Sequence, residues 1–347
     1  MEAPVLIRVE DGVGRITLNR PEALHALNTD MCQRMYDALM AWADDDTVHL
    51  LMIDHREGTR GFCAGGDIRM VARSGRADGR DGEQFFNVEY RLNTRIKRFP
   101  KPYVAILDGV TMGGGVGISI HGSHRIATEN TLFAMPETGI GLFPDVGGGW
   151  FLPRLSGQIG TWLALTGARL KGRDVLAAGI ATHYMPSAAV ETLKSRLCAA
   201  RTHDDIDAIL ADYAEPAGHP SYAEHLATIN QCFAKPTVTD ICLALKMADE
   251  DWATAQADIL KTRSPLSMAV ALEQLRRGEA MSSFEDVMRM EYRIACHIIR
   301  GNDFSEGVRA AIEDKDHAPK WSPDTPAGVT PQMVAALFAP VAEELQL

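Results

Sequence analysis

Two glycine-rich segments, each placed shortly after a run of β-forming residues, restrict the fold of this chain more than any other feature of its sequence. The first, 61–67 (GFCAGGD), follows the apolar run 50–53, and the second, 113–117 (GGGVG), follows 103–107. Glycine lets a backbone approach a ligand closely and leaves its N–H groups accessible. In α/β folds, such loops lie outside the carboxyl ends of strands, where ligands bind. The repeated order of strand, glycine loop and helix therefore predicts an α/β fold.

The two glycine loops allow more than one interpretation. Placed side by side, they could aim two N–H donors at a single oxygen, which is the arrangement of an oxyanion hole. Each loop taken alone also fits a tight turn or the close packing of a helix on a strand. A dinucleotide site or a P-loop fits less well, because 113–117 contains no G-x-G-x-x-G spacing and no G-K-[ST] sequence.

The composition excludes several classes of protein. A formal charge of −11 over 347 residues argues against a general nucleic-acid binder, which needs basic surface. The most apolar stretch, 104–120, is interrupted by Asp108 and glycines and is shorter than the roughly 20 residues that a membrane span needs. The six cysteines form no C-x-x-C pair, which favours a reducing compartment without disulfides or structural zinc. Because the acidic N-terminus has no signal-peptide pattern, we expect a bacterial cytoplasmic protein, or a mitochondrial-matrix protein if the source is eukaryotic.

Local patterns predict the first elements of the chain. The Asp11-Gly12 pair between two β-rich runs indicates a hairpin. Asn28 or Thr29 can cap the helix that follows. The polar, glycine-rich stretch 74–83 predicts a mobile surface loop.

The character of the sequence changes after about residue 185. Glycine becomes scarce and helical periodicity dominates, as in the stretches 189–199, 237–249, 265–277 and 284–300. We therefore divide the chain into a core over 1–190 and a helical C-terminal region over 191–347.

The segment 135–149 (MPETGIGLFPDVGGG) carries the strongest chemical signal. Its only charged residues are two carboxylates, Glu137 and Asp145, among apolar residues and glycines. Carboxylates in apolar surroundings have raised pKa values, and a neighbouring carboxylate raises one of them further. In such a pair, one carboxyl group can act as nucleophile or base while the other acts as acid near neutral pH. The same residues also fit structural roles, Glu137 in a turn and Asp145 as the cap of a helix that Val146 begins.

Together these segments resemble the crotonase (enoyl-CoA hydratase/isomerase) superfamily, and the resemblance runs over essentially the whole chain. It is carried by FCAGGDIR, KPYVAILDGVTMGGGVG, FAMPETGIGLFPDVGGGWFLPRL and, near the C-terminus, MEYR and EGVRAAIEDKDHAPKW. The last two are similar to the hydrolase branch of the superfamily and are absent from its shorter hydratases. The resemblance implies a crotonase-like (ClpP/crotonase) fold, a repeated ββα spiral core with a helical C-terminal region that completes the acyl-CoA site.

The resemblance also implies roles for individual residues. The superfamily holds the oxygen of an acyl-CoA thioester in a two-donor oxyanion hole, whose donors here would be the N–H groups of Gly66 and Gly114. Glu137 matches the catalytic carboxylate, and Asp145 matches a second acidic residue beside the substrate. Further substrate-binding positions are Glu89, Ala64 and Asp67. No metal or cofactor is implied, since coenzyme A is part of the substrate.

One departure separates this chain from the hydratases. Typical hydratases add water across a double bond with two glutamates, one at the position of Glu137 and one at that of Gly117 here. Hydratases usually have glycine where this chain has Asp145. The chain lacks one hydratase acid and has an acid at the hydrolase position instead, which weakens a hydratase assignment.

The resemblance thus implies hydrolysis of a short-chain 3-hydroxyacyl-CoA thioester. 3-Hydroxyisobutyryl-CoA, from valine catabolism, is the preferred substrate, and 3-hydroxypropionyl-CoA is the competitor. The alternative is an enoyl-CoA hydratase or isomerase with Glu137 as its lone base, and a CoA-binding relative without activity fits least. The expected partner is the acyl-CoA substrate, without nucleic acid or membrane, and the sequence leaves a homo-oligomer open.

Other reactive side chains fit structural roles better. No G-x-S-x-G elbow occurs, and Cys63 is typical of a small buried residue at the end of a strand. His121 and His124 have no H-E-x-x-H motif around them, so we interpret them as packing or surface histidines. The basic residues within 97–101 fit a solvated helix end better than a site for CoA phosphates.

Overall fold

The computed structural model describes residues 2–347, which fall into two compact units. Unit 1 is made of 2–66, 91–133 and 169–221, and unit 2 of 67–90, 134–168 and 222–347. Each unit draws on residues from several parts of the chain, and the domain boundary at residue 190 stays a prediction. The last strand ends at Tyr184, and only helices and connections follow it.

The strands alternate between two sheets. They are β1 (Val5–Glu10), β2 (Val13–Leu18), β3 (Leu50–His55), β4 (Gly61–Cys63), β5 (Tyr103–Leu107), β6 (Val110–Met112), β7 (His124–Ala127), β8 (Leu132–Ala134), β9 (Leu170–Lys171) and β10 (His183–Tyr184). The larger sheet has the order β1-β2-β3-β5-β7-β10, and the smaller has the order β4-β6-β8-β9. In the pairs β3/β4, β5/β6 and β7/β8, the first strand lies in the larger sheet and the second in the smaller. With helices between the pairs, this alternation is the repeated ββα pattern that the resemblance implied.

The helices range from single turns to long amphipathic segments. They are α1 (Thr29–Ala43), α2 (Ile68–Gly75), α3 (Arg80–Lys97), α4 (Gly114–Gly117), α5 (Gly148–Phe151), α6 (Ile159–Thr166), α7 (Arg173–Ala177), α8 (Val190–Leu197), α9 (His203–Ala211), α10 (Leu226–Phe233), α11 (Val238–Met247), α12 (Asp251–Lys261), α13 (Pro265–Ala280), α14 (Phe284–Ile298), α15 (Asn302–Val308) and α16 (Pro331–Leu337). Within residues 2–347, no helix combines the length and apolar character that crossing a membrane requires.

The larger sheet of unit 1 begins with the predicted hairpin. β1 and β2 pair antiparallel, and the turn residues Asp11 and Gly12 have positive φ values of 50° and 81°, as two-residue hairpin turns require. The other strands add in parallel. Apolar side chains of this sheet, among them Met52, Val104 and Ile126, pack against α8 and α9 in a continuous buried cluster. Burying each large aliphatic side chain contributes about 1.5–3 kcal/mol, so this cluster is a main source of the stability of unit 1.

The helix α1 begins where its capping residue predicts. Asn28 Oδ1 accepts a hydrogen bond from Met31 N–H at 2.9 Å, which confirms Asn28 as the cap. The side chains of Met35 and Leu39 on this helix are buried in the core. After the helix end, Lys101 Nζ donates to the carbonyl oxygens of Trp42 and Asp45, each at 2.6 Å. Lys101 therefore satisfies carbonyls near the end of α1, in line with the structural interpretation of the basic run.

The prediction of a mobile surface loop over 74–83 is wrong. α2 continues to Gly75 and α3 begins at Arg80, so only four residues join them. Ser74 is buried, and its Oγ accepts a hydrogen bond from Gly82 N–H at 2.9 Å. A Cβ on Gly75 would lie 2.0 Å from the carbonyl oxygen of Ile299. The glycines that indicated mobility instead permit close packing within unit 2.

Candidate active site

The first glycine loop is tied down by a backbone hydrogen bond. The structure has Gly61–Cys63 as a strand, so the loop itself covers 64–67. Gly65 O accepts a hydrogen bond from Leu27 N–H at 2.8 Å. Because the Gly65 carbonyl and the Gly66 N–H belong to one planar peptide group, this bond also fixes the direction of the Gly66 N–H.

The second glycine loop is held by the first turn of α4. Gly113 O accepts hydrogen bonds from the N–H groups of Val116 at 2.8 Å and Gly117 at 3.1 Å. The peptide group that joins Gly113 to Gly114 is therefore fixed in orientation, and its N–H is one of the helix N-terminal donors without an intrahelical acceptor. Gly113 has a φ of 46°, in the left-handed region that favours glycine.

The two loops are neighbours within unit 1. A Cβ built on Gly65, whose φ is 120°, would lie 3.9 Å from the backbone nitrogen of Gly114. A Cβ on Gly115 would lie only 2.3 Å from the carbonyl oxygen of Cys63. The loops therefore meet the condition on which the oxyanion-hole interpretation depends. The roles of Gly66 and Gly114 as the two donors remain a prediction.

Unit 2 brings together the three predicted carboxyl groups. Glu89 lies on α3, Glu137 begins the 3₁₀ turn Glu137–Ile140, and Asp145 lies in the connection before α5. All three are buried. Burial raises the pKa of Glu89 well above its usual value, and the negative charges of Asp145 and Glu137 raise it further. Burial likewise raises the pKa of Glu137, to which the charge of Asp145 adds.

Asp145 is the carboxyl group of this cluster that accepts a hydrogen bond from a neighbouring side chain. Burial raises its pKa to about 7, against the opposing effect of Tyr90. Tyr90, at the adjacent position to Glu89 on α3, donates its hydroxyl proton to Asp145 Oδ2 at 2.8 Å. The side chain of Asp145 caps no helix, since α5 begins at Gly148 without a side-chain cap. The capping interpretation of Asp145 is therefore wrong.

Two oxygens of the cluster have no protein partner. Glu137 Oε2 and Glu89 Oε1 are both buried and form no hydrogen bond with any residue of 2–347. An unpaired buried polar atom costs about 1–3 kcal/mol, so a partner that satisfies these two oxygens would be bound favourably. A substrate hydroxyl, a substrate carbonyl or a water could supply the missing partners. The pattern supports a binding or catalytic site at these carboxyl groups.

Two further residues of the site were missed by the sequence analysis. Glu291, on α14, accepts hydrogen bonds from Gly147 N–H (2.7 Å, Oε2) and Gly149 N–H (2.8 Å, Oε1). Gln274, on α13, donates its Nε2 protons to Pro144 O at 2.8 Å and to Glu291 Oε1 at 2.9 Å. The only sequence signal for this contact was the MEYR motif, which contains Glu291 but does not reveal its target.

The other predicted residues have structural contacts. Asp67 is the N-cap of α2 and accepts a hydrogen bond from Met70 N–H at 3.3 Å, and Ala64 N–H donates to Leu24 O at 3.0 Å. Substrate binding by Ala64 and Asp67 stays a prediction. Cys63 is buried at the end of β4, as its structural interpretation predicts.

The histidines fit packing roles rather than a metal site. His124 lies on β7 and contacts Asp207 through Nε2 at 3.0 Å, and His121 is also buried. Among residues 2–347, no three His, Cys, Asp or Glu side chains are grouped so that they could hold a metal ion.

Comparisons with known proteins give the chain its family. The enoyl-CoA hydratase/isomerase family matches residues 13–338. The mitochondrial 3-hydroxyisobutyryl-CoA hydrolase of Gallus gallus is 46% identical over 346 residues, covering 98% of this chain and 89% of that protein. The Homo sapiens protein of the same name is 44% identical over 326 residues, covering 92% of this chain and 84% of that protein.

Solved structures with the same fold carry different names. One described as a carnitinyl-CoA dehydratase from Mycobacterium thermoresistibile is 43% identical, with a TM-score of 0.94, covering 99% of both chains. One described as an enoyl-CoA hydratase from Rhodobacter sphaeroides 2.4.1 is 40% identical, with a TM-score of 0.92, covering 99% of this chain and 100% of that chain. The chain therefore has the crotonase-like α/β fold that its sequence implied, and it belongs to the enoyl-CoA hydratase/isomerase (crotonase) family.

Proposed function

We propose that this protein hydrolyses a short-chain 3-hydroxyacyl-CoA thioester, 3-hydroxyisobutyryl-CoA above all, to the free 3-hydroxy acid and CoA. The observation that carries the proposal is the buried carboxyl cluster with Asp145 in it and no carboxylate at Gly117. The names of the Gallus gallus and Homo sapiens relatives, similar over nearly the whole chain, point to the same reaction.

In this scheme the thioester carbonyl oxygen accepts hydrogen bonds from the N–H groups of Gly66 and Gly114. The two donors stabilise the negative charge that develops on this oxygen when the carbonyl is attacked. Each donor belongs to a planar peptide group whose carbonyl oxygen is held by a backbone hydrogen bond. The donors therefore need no reorganisation as the charge forms. Losing one such donor typically costs about 3–4 kcal/mol of transition-state stabilisation.

Glu137 is the reactive carboxylate of the scheme, and two routes are open to it. In the first, a carboxylate oxygen attacks the thioester carbon and CoA leaves as a thiolate, which gives a mixed anhydride that water then hydrolyses. In the second, Glu137 accepts a proton from a water that attacks the same carbon directly. Hydroxylamine would trap the mixed anhydride as a hydroxamate on Glu137, and mass analysis of the peptide would separate the routes.

The other two carboxyl groups have supporting roles. With a pKa raised to about 7 by burial, Asp145 can hold or release a proton near neutral pH, which suits proton delivery to departing CoA. Glu89 keeps its proton to higher pH because of burial and neighbouring negative charge, and its raised pKa suits a hydrogen bond to the 3-hydroxyl of the substrate.

A second function, hydration or dehydration of an enoyl-CoA, has one observation in its favour. The two solved structures at 40% and 43% identity are described as a hydratase and a dehydratase. That reaction needs acid and base groups on one substrate, and the glycine at 117 supplies none at the position of the second hydratase glutamate. Hydrolysis therefore has the stronger support.

The test is an acyl-CoA panel followed by release of free thiol. It compares 3-hydroxyisobutyryl-CoA, 3-hydroxypropionyl-CoA and isobutyryl-CoA, which lacks the 3-hydroxyl. We expect release from the first two and much slower release from the third. Glu343→Gln, at an exposed carboxylate, serves as the control for Glu137→Gln and Asp145→Asn. Undiminished release by the Glu137 variant would overturn the assigned mechanism.

The location, the cofactor requirement and the oligomeric state of the protein are also proposals. The Gallus gallus and Homo sapiens relatives are named mitochondrial proteins. We propose that this chain works in the mitochondrial matrix if its source is eukaryotic and in the cytoplasm if its source is bacterial. We propose that the substrate carries its own coenzyme A and that no further cofactor takes part. Assembly into a homo-oligomer stays a prediction that sedimentation would test.

A further inference from the structure

We propose that Glu291 is a positioning residue that clamps the segment 144–149, and so fixes where the carboxyl group of Asp145 points. The inference rests on the proposed function, because it assumes that Asp145 takes part in turnover. The contacts of Glu291 are the starting observation. Both of its carboxylate oxygens are used on backbone N–H groups of this single segment, at Gly147 and Gly149.

In the hydrogen bonds that the structure gives the side chain of Glu291, Glu291 is the acceptor each time. The donors are two backbone N–H groups and the amide of Gln274, and this same amide also donates to Pro144 O. The segment is therefore held at 144, 147 and 149, on both sides of Asp145. Burial raises the pKa of Glu291 to about 8, against the opposing effect of the Gly147 and Gly149 N–H groups, and the negative charge of Asp145 adds to the rise.

The backbone next to Asp145 is strained, and Glu291 binds the segment directly beside the strained residues. Val146 has a φ of 52° and Gly147 a φ of 89°. A β-branched residue in the left-handed region is a genuine outlier with a strained backbone. It persists only when surrounding contacts over-determine it. The Gly147 N–H bonded to Glu291 belongs to the peptide group directly after Val146.

Close packing leaves the clamp no room to shift. A Cβ on Gly278 of α13 would lie 1.9 Å from the carbonyl oxygen of Gly149. A Cβ on Gly149 would lie 3.1 Å from both Gln274 Cγ and Glu291 Oε1. The segment therefore lies directly against α13 and α14, and it aims the carboxyl group of Asp145 at the hydroxyl of Tyr90. The long C-terminal region thus acts on the site through Glu291.

The experiment is a double-mutant cycle on turnover. If Glu291 acts through Asp145, Glu291→Gln lowers kcat at least about tenfold in the wild-type background and less than about twofold in the Asp145→Asn background, because residues acting as a unit are non-additive. Gln274→Met should show the same pattern with a smaller loss. The matched control is Asp303→Asn, another buried acceptor of unit 2, bonded to Ser264 Oγ at 2.6 Å. Its effect should be the same factor in both backgrounds.

A second readout keeps the clamp testable without any activity. Amide hydrogen exchange over 144–149 should speed up at least about tenfold in Glu291→Gln, as expected when local opening becomes easier, and stay unchanged in Asp303→Asn. Equal losses of kcat in both backgrounds, or unchanged exchange in 144–149, would overturn the clamp. Absence of thiol release by the wild type would overturn the proposed function instead, while the exchange measurement would still decide on the clamp.

Discussion

The glycine loops of unit 1 and the carboxyl cluster of unit 2 are built in opposite ways. The loops are held by backbone hydrogen bonds and by the absence of side chains at 65 and 115. The cluster is held by side chains on α3, α13 and α14, whose residues lie up to 202 positions apart in the chain, from Glu89 to Glu291. The first region is therefore fixed by backbone contacts, whereas the second depends on the packing of side chains from distant helices.

The largest expected effect is on the reactive carboxyl group of the cluster. Glu137→Gln keeps the shape but removes the proposed nucleophile or base, and we expect kcat for thiol release to fall about 10³-fold or more, as for a residue central to catalysis. Steady-state kinetics with 3-hydroxyisobutyryl-CoA measures this loss. A variant within tenfold of wild type would mean that the cluster is not the reactive region.

A smaller loss is expected from the glycine loops. Gly65→Ala puts a side chain at a φ of 120°, which L residues rarely adopt, so we expect the backbone to turn and to reorient the adjacent Gly66 N–H, the proposed donor. We expect a fall in kcat of about 10–10³-fold, up to the loss of one oxyanion donor. Gly58→Ala is the matched control, since Gly58 also has positive φ but nothing within 4 Å of a new Cβ. Equal kcat values for Gly65→Ala and Gly58→Ala would mean that the glycine loop takes no part in turnover.

The next effect is on the pH dependence of turnover at the carboxyl cluster. The hydroxyl of Tyr90 lowers the pKa of Asp145, so Tyr90→Phe should raise that pKa above about 7. Loss of one hydrogen bond to a charged group corresponds to a shift of roughly 1–2 pH units. The pH profile of kcat/KM would show the limb that reports this cluster moving to higher pH. An unshifted pH profile would mean that Tyr90 does not influence the pKa that controls kcat/KM.

The smallest effect concerns stability. The folded-state pKa of Glu137 is raised by burial, so the folded protein binds its proton more tightly than the unfolded chain does. Stability therefore falls as pH rises through the window between the ordinary and the raised pKa. Glu137→Gln lacks this loss, and its Tm should exceed that of the wild type by a few degrees (about 2–4 °C) at pH 8 and by less at pH 5. A Tm difference that is the same at both pH values would contradict the burial argument.

The difference between the two regions also explains which elements and contacts could be predicted from the sequence. The hairpin at Asp11-Gly12 and the Asn28 cap were predictable because a few adjacent residues determine each of them. The carboxylates at 137 and 145 were predictable as candidates for the same reason. Tyr90 and Glu291 were not, because their contacts with 145–149 depend on tertiary packing. The stretch 74–83 failed because glycine has the same sequence signal in a mobile loop and in a tightly packed turn.

The central claim is that the carboxyl cluster serves hydrolysis and not hydration. The most direct measurement follows two signals with the same preparation of wild-type protein: free thiol from 3-hydroxyisobutyryl-CoA, and the enoyl absorbance of crotonyl-CoA. The account predicts rapid thiol release, lost in Glu137→Gln, with no change in enoyl absorbance. Loss of enoyl absorbance from crotonyl-CoA without any thiol release would contradict it.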